Sequence, residues 1–183
     1  SIARQTLQEQ EIFSALALAH VIERKRKNYK NACPYVPKMA EHARSATEFA
    51  TMGRAQWACD DVQGAISSFE RVSLVAPHYS SWYKLPFSFV LAEGGDFQRA
   101  KEYMIKELPN LNKARQERLY MLLTYTHLKL GEKNLAEEMY NKWQGQKRDK
   151  TAERVVWYLR NNKEHEFAKK IISVMEPLGL PPS

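Results

Sequence analysis

The chain has 183 residues, 44% of them hydrophobic, and a formal net charge of +7. This length and apolar content suit one domain with a continuous core, and no apolar run reaches the roughly 20 residues that cross a bilayer. The composition therefore predicts no membrane insertion, and the scarcity of Val, Ile and Thr runs favours an all-α fold. The positive charge favours acidic partners, whether peptide, nucleic acid or anionic surface.

The first 40 residues are predicted to form one long helix, from residue 2 to about 28, and a proline-containing linker. Pro37 is expected to open the next helix, because its missing N–H falls among the free donors of a first turn. Basic residues gather at the end of the long helix and form a basic patch. The patch consists of Arg24, Lys25, Arg26, Lys27 and Lys30. A solvated helix end, where cations favour the helix dipole, is a better interpretation of the patch than targeting or phosphate binding.

Two cysteines, Cys33 and Cys59, are too few for a disulfide framework. Cys59 is near the end of an apolar helix, where a buried free thiol is the ordinary outcome. A bridge between the two stays open as an alternative, because it depends on the compartment. The absence of a secretory-type N-terminal segment predicts a cytoplasmic location, with export not excluded.

Helical hairpins are predicted after the linker. In the first hairpin, a helix that runs to about Ala58 pairs with a second helix over 61–74. Asp60 or Asp61 is expected to cap this second helix, and Pro77 to end the hairpin. The second is expected to begin near residue 80, turn at residues 94–95 and return over 97–107 after an Asp96 cap. Pro86 predicts a kink or a delayed start in its first helix.

The third hairpin is predicted over 113–130 and 132–144, joined by Gly131. A weaker fourth hairpin follows over 152–160 and 164–175. Pro177 and the residues after it forbid further helix, so the tail is expected to fray.

One pattern recurs in the first three hairpins. Ala65, Ala100 and Ala136 are separated by 35 and 36 residues, and each is followed four positions later by a bulky side chain, Phe69, Met104 or Tyr140. A period near 35 with helical spacing inside it indicates stacked helical hairpins. The pattern resembles the tetratricopeptide repeat family, and Gly53, Ala65, Phe69 and Pro77 carry the best match.

The resemblance implies a right-handed α-solenoid of about nine antiparallel helices. An N-terminal helix and linker would occupy residues 1–40. A repeat domain of three clear units and one degenerate unit would occupy 41–178, and a tail would occupy 179–183.

In the family, the first helix of each hairpin lines a concave groove that receives an extended peptide or a partner helix. The resemblance therefore implies a ligand groove of aromatic, apolar and basic side chains. The matching positions are Arg54, Trp57, Trp82, Leu85, Phe89, Arg118, Met121, Tyr125, Trp157 and Arg160. Trp, Tyr and Arg carry much of the binding energy at interfaces, so the implied partner is a protein or peptide with apolar anchors and acidic character. The alternative is that Trp57, Trp82 and Phe89 are core residues, or that the first helix fills the groove.

No motif for metal, phosphate or nucleophilic chemistry occurs in the sequence, so neither an enzymatic activity nor a cofactor is predicted. The leading hypothesis is a non-enzymatic interaction or scaffold module. The alternatives are a regulatory or sensing domain of a larger protein, such as a transcription regulator, and a nucleic-acid-binding repeat. Nucleic acid ranks below a protein partner because acidic residues interrupt the basic ones after residue 40. Self-association through the uncapped end of a helix stack is a further expectation.

Overall fold

The computed structural model describes residues 2–79 and 81–144, and these residues form helices and turns without a strand. The all-α class is therefore confirmed. The chain divides into two compact units, with the boundary between Tyr83 and Lys84. In the described part of the chain, no helix is long and apolar enough to cross a membrane.

The first unit contains five helices and a short 3₁₀ turn. They are α1 (Ile2–Lys25), α2 (Tyr29–Ala32), α3 (Tyr35–His42), α4 (Ala46–Ala58), α5 (Val62–Val75) and the 3₁₀ turn Ser81–Tyr83. The long helix α1 packs against α3 and contributes Phe13 and His20 to the core. The predicted linker is thus largely helical. Pro34 precedes α3 and Pro37 lies in its first turn, where a missing N–H breaks no helical hydrogen bond.

A break at residues 43–45 separates α3 from α4, where the sequence analysis expected one helix to run on to Ala58. Ala43 is extended, and Ser45 begins α4 with a capping box. The Glu48 carboxylate accepts from the backbone N–H groups of Arg44 and Ser45 at 2.7 and 2.8 Å. These bonds satisfy donors that a helix start leaves free. The Ser-x-x-Glu spacing was the overlooked sequence signal for this helix start.

The hairpin of α4 and α5 follows the predicted pattern closely. Asp61 caps α5 by accepting from the Gly64 N–H at 2.9 Å. Phe69 is fully buried, and a Cβ on Gly53 would lie 2.8 Å from its ring. The small residue therefore allows the close approach of the two helices, as the repeat pattern predicts.

A disulfide joins Cys33, between α2 and α3, to Cys59 at the end of α4. The expectation of a free Cys59 thiol is wrong, and the alternative of a bridge is correct. The physical reason is the packing of the N-terminal helices on the hairpin, which brings the two Cα atoms to 5.7 Å. The buried imidazole of His20 lies beside the bridge, with its Nε2 3.8 Å from the Cys59 Sγ.

The second unit contains two described hairpins. Its helices are α6 (Lys84–Glu93), α7 (Phe97–Glu107), α8 (Lys113–Lys129) and α9 (Lys133–Gln144). Helix α6 begins only at Lys84, so that Pro86 lies in its first turn. Of the two predicted alternatives, a kink or a delayed helix start, the structure shows the delayed start. Asp96 caps α7, and Gly131 turns the chain into α9 with a φ of +76°.

A polar cluster braces the turn between α8 and α9. The Glu132 carboxylate lies 2.6 Å from the buried His127 Nδ1 and accepts from the Lys101 ammonium at 2.7 Å. Hydrogen bonds from Lys101 and His127 hold the pKa of Glu132 below its usual value. The cluster therefore ties α7 to the hairpin of α8 and α9.

Several sequence predictions lie outside the described residues. They are the fourth hairpin over 152–175, the tail over 179–183, and the groove positions Trp157 and Arg160.

Candidate binding surface

The eight described groove positions differ widely in accessibility. Most of the apolar and aromatic ones are buried: Trp57, Leu85, Phe89, Met121 and Tyr125. Arg54, Trp82 and Arg118 are partly exposed. A ligand can reach these three side chains without rearrangement, so the accessible positions are fewer and more basic than the sequence indicates.

In the first unit the structure brings Arg54 and Trp82 together. The guanidinium carbon of Arg54 lies 5.7 Å from the centroid of the Trp82 ring, within cation–π range. Thr47 and Thr51 precede Arg54 on the same side of α4, since helical residues three and four apart are neighbours. We call the group formed by Thr47, Thr51, Arg54, Tyr79 and Trp82 the Arg54–Trp82 surface.

The segment after α5 positions Trp82 through hydrogen bonds and ring contacts. The Trp82 indole N–H donates to the Tyr79 hydroxyl at 3.2 Å, and that hydroxyl donates to Thr47 Oγ1 at 2.9 Å. The neighbouring Tyr83 is buried, stacks on Phe69 at 6.2 Å and lies in hydrogen-bond contact with Ser73 at 2.9 Å. Tyr83 therefore anchors the segment while Trp82 stays at the surface.

The chemistry of this surface suits a segment with both charge and apolar area. The Arg54 guanidinium offers donors with a fork geometry that matches a carboxylate, and its central carbon lies over the Trp82 ring. The indole adds a large, rigid contact area at low entropic cost. Thr47 and Thr51 provide a polar edge beside them.

In the second unit, Tyr125 is a packing residue. Its ring meets Phe97 edge to face at 5.9 Å, and the Lys129 ammonium lies 5.8 Å from its centroid. Burial, with a smaller effect of Glu93, raises the pKa of the Tyr125 hydroxyl. Arg118 lies on the same helix and is half-buried.

The basic patch lies in the last turn of α1 and in the residues that follow it. Arg24 and Lys25 occupy the last turn, and the Arg26 guanidinium pairs with the Glu23 carboxylate at 3.3 Å. Lys27 turns the chain with a φ of +58°, and Lys30 follows in α2. Part of the positive charge is therefore balanced within the chain.

Among residues 2–79 and 81–144, no three His, Cys, Asp or Glu side chains lie together in a group that could hold a metal ion. The first unit also contains a pocket bordered by Phe49 and Arg71, which the sequence did not predict. The sequence shows Leu74 and Val75 three and four positions after Arg71, but only the structure shows that both are exposed.

The described helices and their packing define an all-α protein built from antiparallel helical hairpins. No protein-family model matches the chain, and no curated protein matches its sequence. A solved structure described as the MamA RS-1 ArsTM double mutant is similar in fold, with a TM-score of 0.63 and 16% sequence identity. The match covers 93% of this chain and 97% of that chain, and it supports a tetratricopeptide-like helical fold.

Proposed function

We propose that this protein is a non-enzymatic interaction or scaffold module that binds a peptide or partner helix at the Arg54–Trp82 surface. The observation that carries the proposal is the partly exposed Trp82, positioned by hydrogen bonds and covered by the Arg54 guanidinium. Aromatic and arginine anchors of this kind dominate interface energies. The partner is expected to present apolar anchors and acidic groups, because the binding surface is aromatic and basic.

The test is a nuclease-treated pull-down from the source lysate with the wild type, Trp82→Ala and Arg54→Gln. Arg99→Gln, an exposed position on α7 in the other unit, is the matched control. Proteins recovered by the wild type and the control but lost by both test variants are then purified. Their affinity should fall about 30-fold or more on truncation of Trp82, which is the range of an interface anchor.

Circular dichroism of each variant must match the wild type before its binding is compared. A purified partner that binds Trp82→Ala and Arg54→Gln as tightly as the wild type contradicts the proposal. Binding that disappears after nuclease treatment supports the nucleic-acid alternative instead, and should weaken steeply with salt.

Self-association is a second candidate function, favoured by α1. Leu7, Leu18 and Ile22 are each more than a third exposed, and their separations of 11 and 4 residues place them on one side of the helix. An exposed apolar stripe is typical of a contact surface. Sedimentation of the wild type and Leu18→Glu tests this candidate, and a wild type that stays monomeric at high concentration contradicts it.

The location of the protein is also a proposal. The sequence predicts the cytoplasm and leaves export open, and the disulfide between Cys33 and Cys59 supports export, because such bonds persist in oxidising compartments. Thiol labelling in source cells, with and without prior reduction, distinguishes the two. The regulatory-domain alternative stays a prediction.

A further inference from the structure

A pocket of about 520 Å³ opens among α3, α4 and α5 of the first unit. It shares no residue with the Arg54–Trp82 surface. Its lining combines aliphatic and aromatic side chains with two arginines and includes no carboxylate. The lining residues are Ala40, Ala43, Arg44, Phe49, Arg71, Leu74 and Val75.

Arg71 is the distinctive group of this pocket. Its guanidinium carbon lies 4.5 Å from the centroid of the buried Phe49 ring. Within residues 2–79 and 81–144, the Arg71 side chain forms neither an ion pair nor a hydrogen bond. Stacking occupies the face of a guanidinium and leaves its in-plane N–H groups available for an anion. Phe49 therefore orients a cation whose donors are unused by the described protein groups.

The other arginine of the pocket is already engaged. Arg44 Nε lies 3.4 Å from the Glu9 carboxylate, and its Nη1 donates to the Ala43 carbonyl at 2.8 Å. The charge of Arg44 is thus largely balanced, whereas that of Arg71 is not. A ligand that complements the pocket should therefore carry a negative charge and place it next to the Arg71 guanidinium.

An apolar rim adjoins this cation. Leu74 and Val75 follow Arg71 by three and four residues, so all three lie on one face of α5. The two aliphatic side chains are 80% and 51% exposed. Exposed apolar side chains next to a stacked arginine fit a ligand that carries an aliphatic group close to an anion.

We propose that the Arg71 pocket is a second binding site, which takes a carboxylate-bearing peptide segment. One carboxylate of the segment accepts hydrogen bonds from the Arg71 guanidinium, and a neighbouring aliphatic side chain packs on Leu74 and Val75. Preorganisation by Phe49 lowers the cost of ordering the arginine. The site is independent of the Arg54–Trp82 surface, and either can bind without the other.

The test is a nitrogen-15 NMR titration at low salt with the capped peptide Glu-Leu-Glu-Leu-Glu. Its neutral counterpart, Gln-Leu-Gln-Leu-Gln, is the matched control. The acidic peptide should shift the backbone signals of Arg71, Leu74 and Val75, together with the Arg71 side-chain N–H. The neutral peptide should bind about tenfold more weakly or not at all, because charge-assisted hydrogen bonds are lost.

Three variants separate the two sites. Arg71→Gln keeps most of the stem and should weaken binding about tenfold or more, while Leu74→Ser, at a highly exposed position, should weaken it several-fold without affecting folding. Arg54→Gln should leave these shifts unchanged. Shifts confined to the Trp82 indole, Thr51 and Arg54, equal binding of both peptides, or no binding in the millimolar range would each overturn the proposal. The first of these results would still support the Arg54–Trp82 surface, so the two proposals fail separately.

Discussion

The two units make their helix turns with different residues. In the second unit, Gly95 and Gly131 adopt left-handed backbone angles, with φ of +81° and +76°. In the first unit the turn between α4 and α5 places Asp60 at a φ of +63°. A left-handed L-residue costs about 1–2 kcal/mol, although Asp tolerates it better than most. The disulfide at the preceding Cys59 cross-links this strained turn, so one unit relies on glycine and the other on a covalent bond.

Removal of the disulfide should be the largest perturbation that distinguishes the units. The bridge joins residues 26 apart, and closing such a loop stabilises a protein by about 3.5 kcal/mol in the chain-entropy account. Cys33→Ser with Cys59→Ser should lower protection of amides in α3, α4 and α5 in hydrogen exchange. Amides of α8 and α9 serve as the internal control, and equal loss in both units contradicts a local role of the bridge.

The second effect concerns His20 and pH. Burial, with a smaller contribution from Arg24, lowers the pKa of His20 from 6.5 to about 4. Between pH 6.5 and about 4, His20 is protonated in the unfolded chain but neutral in the folded chain. The free energy of unfolding therefore falls as the pH drops through this range. The loss should reach about 2.5 kcal/mol by pH 4.5, above the range in which Glu132 and Glu138, with lowered pKa values, become protonated.

Urea unfolding of the wild type and His20→Gln at several pH values measures this loss. The comparison uses only how the free energy of unfolding of each protein changes with pH, so a pH-independent loss of stability caused by the substitution cancels. Parallel curves for the two proteins would show that protonation of His20 does not limit stability in acid.

The third prediction compares two structural roles of glycine, close packing of helices at Gly53 and a left-handed backbone angle at Gly95. Gly53→Ala should cost about 2 kcal/mol, because the added Cβ overlaps the fully buried ring of Phe69 at 2.8 Å. A Cβ on Gly95 meets no atom within 4 Å, so Gly95→Ala should be limited by its backbone angle alone. Unfolding of Gly53→Ala with Phe69→Leu tests the distinction. The double variant should recover part of the loss, and strictly additive costs would contradict the packing explanation.

The smallest effects are expected when the residue with a left-handed backbone angle is changed in one turn of each unit. Asp60→Gly should stabilise the first unit by about 0.5 kcal/mol, since relief of the left-handed strain slightly exceeds the entropy cost of glycine. Gly131→Ala should destabilise the second unit by about 1 kcal/mol. Thermal unfolding of both variants, with the disulfide intact, gives the comparison. Destabilisation by Asp60→Gly would mean that the carboxylate contributes more than its backbone angle costs.

The hairpins of residues 46–144 were largely predictable because their signals are local. Asp61 and Asp96 stand at helix starts, Gly95 and Gly131 at left-handed turns, and each produced the expected boundary. The break before α4 was missed although its Ser-x-x-Glu signal is present. Pro34 and Pro37 favour an earlier helix start, and the structure contains both starts, one for α3 and one for α4.

Features that depend on distant contacts were less predictable. The disulfide requires α1–α3 to pack on the α4–α5 hairpin, and no periodicity within either segment reports that packing. For the groove positions, the sequence gives the residue type and the helical position but not the accessibility. Trp57 and Trp82 are both tryptophans at predicted groove positions, yet Trp57 is buried and Trp82 is partly exposed. The roles of these residues in binding stay predictions.

The disulfide also has a consequence for biosynthesis. Cys33 leaves the ribosome 26 residues before Cys59, which at translation rates of 5–20 residues per second is an interval of roughly 1 to 5 s. Among these 183 residues, Cys59 is the one other cysteine with which the Cys33 thiol can pair, and it emerges only after that interval. Within this segment a single pairing is possible, so its formation needs an oxidant but no exchange between alternative bonds, and a thiol on another molecule competes for Cys33 in the meantime.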